Sequence, residues 1–274
     1  MKLAYTAAGA SALLSLSLSA ASGEVQACTE IAALPTVITQ QGIYCLKKDL
    51  SMSATSGSAI AINTNNVTIE MNGYKLGGLA AGNNTQAYGI HADGRQNITI
   101  RNGTVRGFLQ NIRLVGNGGG HLVEGIRSEA GRETGISVYG SNSTVRDNMV
   151  FSTGNGLYAG AWAIVASYGA SITVIGNTIG GVTETDTAYG IAVFSTDGAV
   201  VQGNRISGLQ AATMRGISAT GSGAVIRDNI VSNAVTGSTG IMGGSTLDGC
   251  LNNVVRNFTT AISGCEHLSG NQAF

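Results

Sequence analysis

The sequence predicts an all-β, single-stranded right-handed parallel β-helix, a solenoid of about nine coils with disulfide-stapled ends. Three observations predict it. The first is a recurring isoleucine, mostly preceded by Gly or Ala: Ile60, Ile90, Ile112, Ile136, Ile164, Ile191, Ile217, Ile241 and Ile262. Successive spacings are 30, 22, 24, 28, 27, 26, 24 and 21 residues. The second is an alternating apolar run after many of them, as in Val67-Thr-Ile, Ile98-Thr-Ile, Ile172-Thr-Val and Val225-Ile. The third is an asparagine further on, at Asn72, Asn102, Asn148, Asn177, Asn204, Asn229 and Asn253. None of these copies has a helical period, so each reads as short strands joined by turns.

A single copy cannot bury its own apolar side. Copies stacked as parallel strands about 4.8 Å apart bury a continuous core. The asparagines have two readings at this point. They form an internal ladder of amides bonding coil to coil, or they occupy the left-handed backbone of a corner. The Asn-x-Thr triplets at Asn66, Asn97 and Asn142 belong to the same repeat and read as turn-plus-strand chemistry rather than glycosylation. Repeated Arg-Asp pairs, Arg146-Asp147 and Arg227-Asp228, suggest charge pairing between coils worth at most about 1 kcal/mol each.

Composition agrees. There are 41 Gly and 1 Pro, which suits a chain of turns and strands in which proline would delete ladder hydrogen bonds. Hydrophobic residues at 43% exclude a disordered Gly-rich tract. Charged residues at 11% and a formal net charge of +0 argue against nucleic acid or an anionic membrane as the main partner.

Taken in order, residues 1–27 read as a signal peptide. Lys2 starts it, Ala7 to Leu18 is its apolar core, and cleavage falls after Ala21 or Ala27. That core is too short to span a bilayer, and no other transmembrane segment is expected. Residues 28–57 depart from the repeat and read as an N-terminal cap that covers the first strand edges. Residues 58–274 are the β-helix. Export favours disulfides, and the spacing of the four cysteines favours Cys28 with Cys45 and Cys250 with Cys265.

Three stretches carry a resemblance: ALPTVITQQGIYCLKKDL, AIAINTNNVTIEMNGYKLGG and YGIHADGRQNITIRNGTVRGF. Together they resemble the exported right-handed β-helix proteins of the pectate-lyase-like superfamily, over residues 28 to about 230. The resemblance implies the fold and a carbohydrate-related role. It implies no single activity, because the superfamily holds lyases, polygalacturonases, esterases, epimerases and tailspikes. The polygalacturonase pattern fails: Asn63-Thr64-Asn65 lacks the acid, no Asp-Asp pair exists, and Gly120-His121 is followed by Leu122. Acids are scattered singly, so no Ca²⁺ cage is apparent, and no metal or other cofactor is expected. The epimerase Asp-Pro-His run is missing, with His91-Ala92-Asp93 a faint echo.

One constellation remains. Alternation along a strand places residues one and three after each aligned Ile on the outer face, and the position two before it is read onto the same surface although it points inward about as often as not. Coils 2 to 5 then present His91, Asp93, Arg113, Tyr88, Tyr139 and the single Trp162 on one surface. His91 with Asp93 suggests a general base, Arg113 a carboxylate neutraliser, and Tyr88, Tyr139 and Trp162 platforms for sugar rings. The plain alternative for His91 is a solvated strand residue. His121, after three glycines, reads as part of a corner. The functional expectation is therefore an exported protein, periplasmic or extracellular, that contacts a polysaccharide or cell-envelope glycan through one outer face without a complete catalytic motif. The alternative is a lyase or C5-epimerase acting on a uronate-containing glycan. Non-reducing peptide mapping is expected to find the two local disulfides, and Cys45→Ser to cost roughly 2–5 kcal/mol in a denaturant melt.

Overall fold

The computed structural model describes residues 27–274. Apart from Ala27, the expected leader lies outside the described residues. Every strand pairing in the described chain is parallel, and each links one coil to the next, as between Tyr88–Asp93 and Gln110–Val115. The nine isoleucines share one register, from Ile60 opposite Ile90 to Ile241 opposite Ile262. We number the coils 1 to 9 by these residues. Ile60 through Ile241 are wholly buried, each contributing about 1.5–3 kcal/mol of side-chain burial.

Three sheets run the length of the solenoid. The first contains Ser58–Ile62, Tyr88–Asp93, Gln110–Val115, Thr134–Tyr139, Gly160–Ala170, Thr187–Asp197 and Thr213–Ser222. The second is made by Val67–Glu70, Thr144–Arg146, Thr173–Ile175 and their partners. The third includes Lys75–Gly77, Met149–Gly154 and Thr178–Thr183. Residues 36–51, whose sequence departs from the repeat, are nevertheless laid down as a coil: Thr36–Ile38, Gly42–Cys45 and Leu50–Ser51 pair with the three strands of coil 1. The disulfides are Cys28–Cys45 and Cys250–Cys265, as expected.

Packing explains why a small residue precedes each isoleucine. A Cβ on Gly89 would sit 2.8 Å from Val105 Cγ1, one on Gly135 2.5 Å from Val150 Cγ1, and one on Gly216 2.2 Å from Val231 Cγ1. The third sheet packs straight against the start of the first. Coil 3 substitutes Asn111, which is buried and donates through Nδ2 to Ser128 Oγ and Glu129 O, both at 2.9 Å.

Both readings of the asparagines occur, at different coils. Asn148, Asn177, Asn204, Asn229, Asn253 and Asn271 form one ladder. Each Nδ2 donates at 3.0 Å to the Oδ1 of the next asparagine. Its second hydrogen goes to a backbone carbonyl, as from Asn177 to Val145 O at 3.0 Å. Each rung's backbone N–H also donates to the next Oδ1, as from Asn177 to Asn204 at 2.9 Å. An inner rung thus uses both amide hydrogens and both lone pairs.

Asn102, expected in the ladder, is outside it, and so is Asn72. Their φ values are 60° and 51°, the left-handed corner, and Asn102 Nδ2 donates to Glu70 Oε2 at 3.0 Å. In later coils that corner passes to Asp147, Gly176, Gly203 and Asp228, one residue before each rung. The triplet residues Asn66, Asn97 and Asn142 also stand in left-handed corners, with φ of 57°, 55° and 56°. The expected charge pairing between coils holds for Arg146 and fails for Arg227. Arg146 Nε donates to Glu124 Oε2 at 2.8 Å and Arg227 donates to Gln202 Oε1 at 2.9 Å, while the aspartates serve as corner residues.

Asn177→Leu is expected to cost about 1–3 kcal/mol in a urea melt, because it leaves buried amides above and below unpaired. Asn102→Gly is expected to shift stability by less than about 0.5 kcal/mol, since glycine takes the left-handed corner freely.

Candidate functional site

The outer face of the first sheet carries the site, and strand register assembles it. Ser58, Tyr88, Gln110, Thr134, Trp162, Tyr189 and Arg215 stand side by side on coils 1 to 7. Next to them run Ala61, His91, Arg113, Ser137 and Val165, and then Tyr139, Ser167 and Phe194. All six residues expected on this face are on it. Trp162 lies outside the core, half-buried.

On coils 1 to 3 the side chains form a compact cluster. Arg113 Nη1 lies 2.7 Å from His91 Nε2, and its guanidinium carbon is 4.9 Å from the Tyr88 ring centre. Arginine has no lone pair to offer, so Nε2 must accept and the imidazole proton sits on Nδ1. From there it faces Ser58 Oγ at 3.3 Å. Burial, and then the Arg113 charge, hold the His91 pKa below its ordinary value, against a smaller opposing pull from Asp93. His91 is thus neutral near pH 7, with its basic nitrogen covered by Arg113. Asp93 is exposed and turns towards the next corner, where a Cβ on Gly116 would clash with its Oδ1.

On coils 3 to 6 the face becomes a groove of about 220 Å³, lined in part by Glu133, Tyr139, Trp162, Tyr168 and Phe194. Tyr139 meets Tyr168 edge-on at 4.9 Å between ring centres. Trp162 lies nearly parallel to Tyr189 at 6.1 Å, and Tyr189 meets Phe194 edge-on at 6.0 Å. Arg215 closes the run, its Nη1 donating to Tyr189 Oη at 2.9 Å. Burial raises the Tyr139 phenol pKa, so it stays protonated.

Glu133, Tyr168, Phe194 and Arg215 were not among the residues expected from sequence. Phe194 and Arg215 continue the same two columns by one or two coils, so the signal was present. Glu133 and Tyr168 come from corners, where strand alternation gives no guidance.

Several arginines on the other sheets meet carboxylates, Arg101 with Glu70 at 2.8 Å, Arg146 with Glu124 and Arg106 with Glu129 at 3.7 Å, while Arg227 donates to Gln202 and Arg256 lies over the Phe274 ring. Arg113 and Arg215 instead rest on imidazole and phenol groups, with no carboxylate in ion-pair range among the described residues. Also among the described residues, no group of three or more His, Cys, Asp or Glu is placed to hold a metal ion, and no helix is long and apolar enough to cross a membrane. His121 lies apart from the site, 2% exposed, its Nδ1 accepting the Ile98 N–H at 3.3 Å.

No protein-family model and no curated protein sequence matches the chain. Solved structures do. The Dettilon tailspike protein superposes with a TM-score of 0.61 at 15% identity, over 89% of this chain and 53% of its own. The chain therefore spans about half the length of that relative. An alginate lyase from Paenibacillus sp. str. FPU-7 superposes with a TM-score of 0.54 at 14% identity, over 86% of this chain and 93% of its own. The likeness establishes a shared parallel β-helix fold.

Burial holds His121 at a pKa of about 4, below the ordinary 6.5. The unfolded chain therefore takes up this proton more readily than the folded one. The resulting stability is complete above about pH 6.5 and is lost as pH falls towards 4, by up to about 3 kcal/mol. Urea melts across that range are expected to show a shallower acid loss for His121→Asn than for wild type. Arg113→Ala is expected to raise the His91 midpoint in an NMR titration, by removing a neighbouring charge and opening the ring to water.

Proposed function

We propose that the protein is an exported polysaccharide-binding β-helix whose ligand lies along the outer face of the first sheet. The observation that carries this is the unbroken strip from Tyr88 and His91 through Tyr139 and Trp162 to Tyr189 and Arg215. Six coils at about 4.8 Å make the strip roughly 24 Å long, room for several sugar units. Aromatic faces suit sugar rings, and the flanking polar groups suit their hydroxyls. The fold shared with a tailspike and an alginate lyase supports a glycan as the ligand. Two disulfides support an oxidising, extracytoplasmic compartment.

A second reading, a lyase or C5-epimerase acting on a uronate, draws on Arg113. Its charge has no carboxylate partner, so a substrate carboxylate would draw the guanidinium off His91 and free Nε2 as a base. In elimination that nitrogen takes the C5 proton, the C4–O bond breaks as the C4–C5 double bond forms, and the departing oxygen takes a proton from water or Tyr139.

A polysaccharide panel separates the readings, with retention measured on immobilised protein and absorbance followed for unsaturated uronates. Binding without new absorbance is expected. Trp162→Ala should weaken retention by roughly 1 kcal/mol or more. His91→Ala should leave retention nearly intact in a binding protein, whereas in a lyase it abolishes the absorbance while binding persists. Retention of no polysaccharide would refute the glycan reading.

A further inference from the structure

The groove on coils 3 to 6 has a chemistry that a platform for neutral sugars does not need. Glu133 lines it together with the rings of Tyr139, Trp162, Tyr168 and Phe194. No cation pairs with this carboxylate among the described residues. Arg113, one coil away, is turned towards His91 and Tyr88 instead. The polar partner of Glu133 is Gln110, whose Nε2 donates to Oε2 at 2.8 Å. A carboxylate only accepts, so this contact fixes the orientation of the Gln110 amide. Gln110 Oε1 is then left buried with no donor. That oxygen is closed to the groove, which offers a carboxylate held in place by Gln110 and a surround of aromatic rings that meet at different angles.

Acceptors inside a box of aromatic rings attract a cation. Ring faces carry partial negative charge and hold an ammonium group within about 6 Å of their centres. A carboxylate adds a charge-assisted hydrogen bond where the cation has an N–H to give. The volume of about 220 Å³ accommodates one sugar unit rather than a large ligand.

We infer that this groove is a subsite for a protonated amino sugar, with the ring stacked against Trp162 and its ammonium group donating to Glu133. The inference deepens the glycan-binding reading: within the chain laid along the face, the unit over coils 3 to 6 carries a free amine. A quaternary ammonium group offers the same charge to the rings but no N–H to the carboxylate, so it binds more weakly. N-acetylation removes the charge and abolishes the preference.

Trp162 is the only tryptophan and reports from inside the groove. The folded mature protein is titrated with glucosamine at pH 6, with tetramethylammonium chloride, and with glucose, N-acetylglucosamine and sodium chloride as controls, while tryptophan emission is followed. A saturable change is expected with glucosamine, a weaker one with tetramethylammonium, and little with the controls. Glu133→Gln is expected to weaken the glucosamine response about ten-fold, the loss of one charge-assisted contact in a partly dry site. Tyr168→Ala, at an exposed position, is expected to weaken both cation responses, and unchanged circular dichroism confirms that each variant is folded. The inference is overturned if glucose or sodium chloride matches glucosamine, if Glu133→Gln changes nothing, or if no titrant shifts the emission. Retention of a neutral polysaccharide without an amine response sinks the amino-sugar subsite and leaves the glycan reading standing. An amine response without retention of any polysaccharide does the reverse.

Discussion

Everything in this molecule depends on holding each coil in register about 4.8 Å above the last. A slip of one residue would turn the isoleucine column outwards and the polar column into the core. Two kinds of contact resist that slip. The isoleucine column is apolar and non-directional, so it rewards burial but tolerates small shifts. The asparagine ladder is directional: the inner rungs satisfy every amide hydrogen and lone pair only in one register. It starts at Asn148, below Ile126, whose backbone N–H meets Asn148 Oδ1 at 2.9 Å. The early coils lack rungs. Their charged contacts between coils, such as Arg101 with Glu70, lie on the surface and contribute little.

The same register makes the outer face cumulative. A residue type placed at one position of several coils becomes a column on the surface, which is how Tyr88, Trp162, Tyr189 and Arg215 come to lie in one line although 127 residues separate the first from the last. Electrostatics adds to the character of this face. Where arginine meets carboxylate, both charges are spent within the protein. Arg113 and Arg215 lean on neutral groups, and Glu133 is paired with the neutral Gln110 amide. Separated charges with aromatic side chains between them are what the proposed glycan reading draws on.

Much of this was legible in the sequence because the core repeats. Ile90 and Ile112 announce their coils through spacing alone, and the columns one and three residues after them follow from strand alternation. The column two before them, with Tyr88 and Trp162, faces outward because two consecutive buried residues follow it and break the alternation. The ladder was harder to read, because Asn102 and Asn148 are the same residue type in two roles one position apart. One sits in a left-handed corner and the other points inwards beside it. The cap at residues 36–51 hid a regular coil behind an irregular sequence, since a terminal coil meets fewer of the steric demands that fix Gly89 or Gly135. In the site, His91 and Arg113 were legible as neighbours, but not the capping of the imidazole by the guanidinium, which depends on side-chain conformation. Glu133 and Tyr168 enter from corners, where no period applies.

The coils differ in length mainly at one place, the corner between the third sheet and the first. Ten residues fill it between Lys75–Gly77 and Tyr88–Asp93, five between Met149–Gly154 and Gly160–Ala170, and two between Arg205–Gln210 and Thr213–Ser222. That corner borders the outer face of the first sheet. Residues added there raise a bank along the groove without altering a ladder bond or a buried isoleucine. Chain growth is thereby channelled to the rim of the proposed binding face, and the load-carrying stack is spared. A solenoid of this kind can change its specificity by insertion alone, with little cost in stability, because a longer surface loop adds only the slow logarithmic penalty of chain closure.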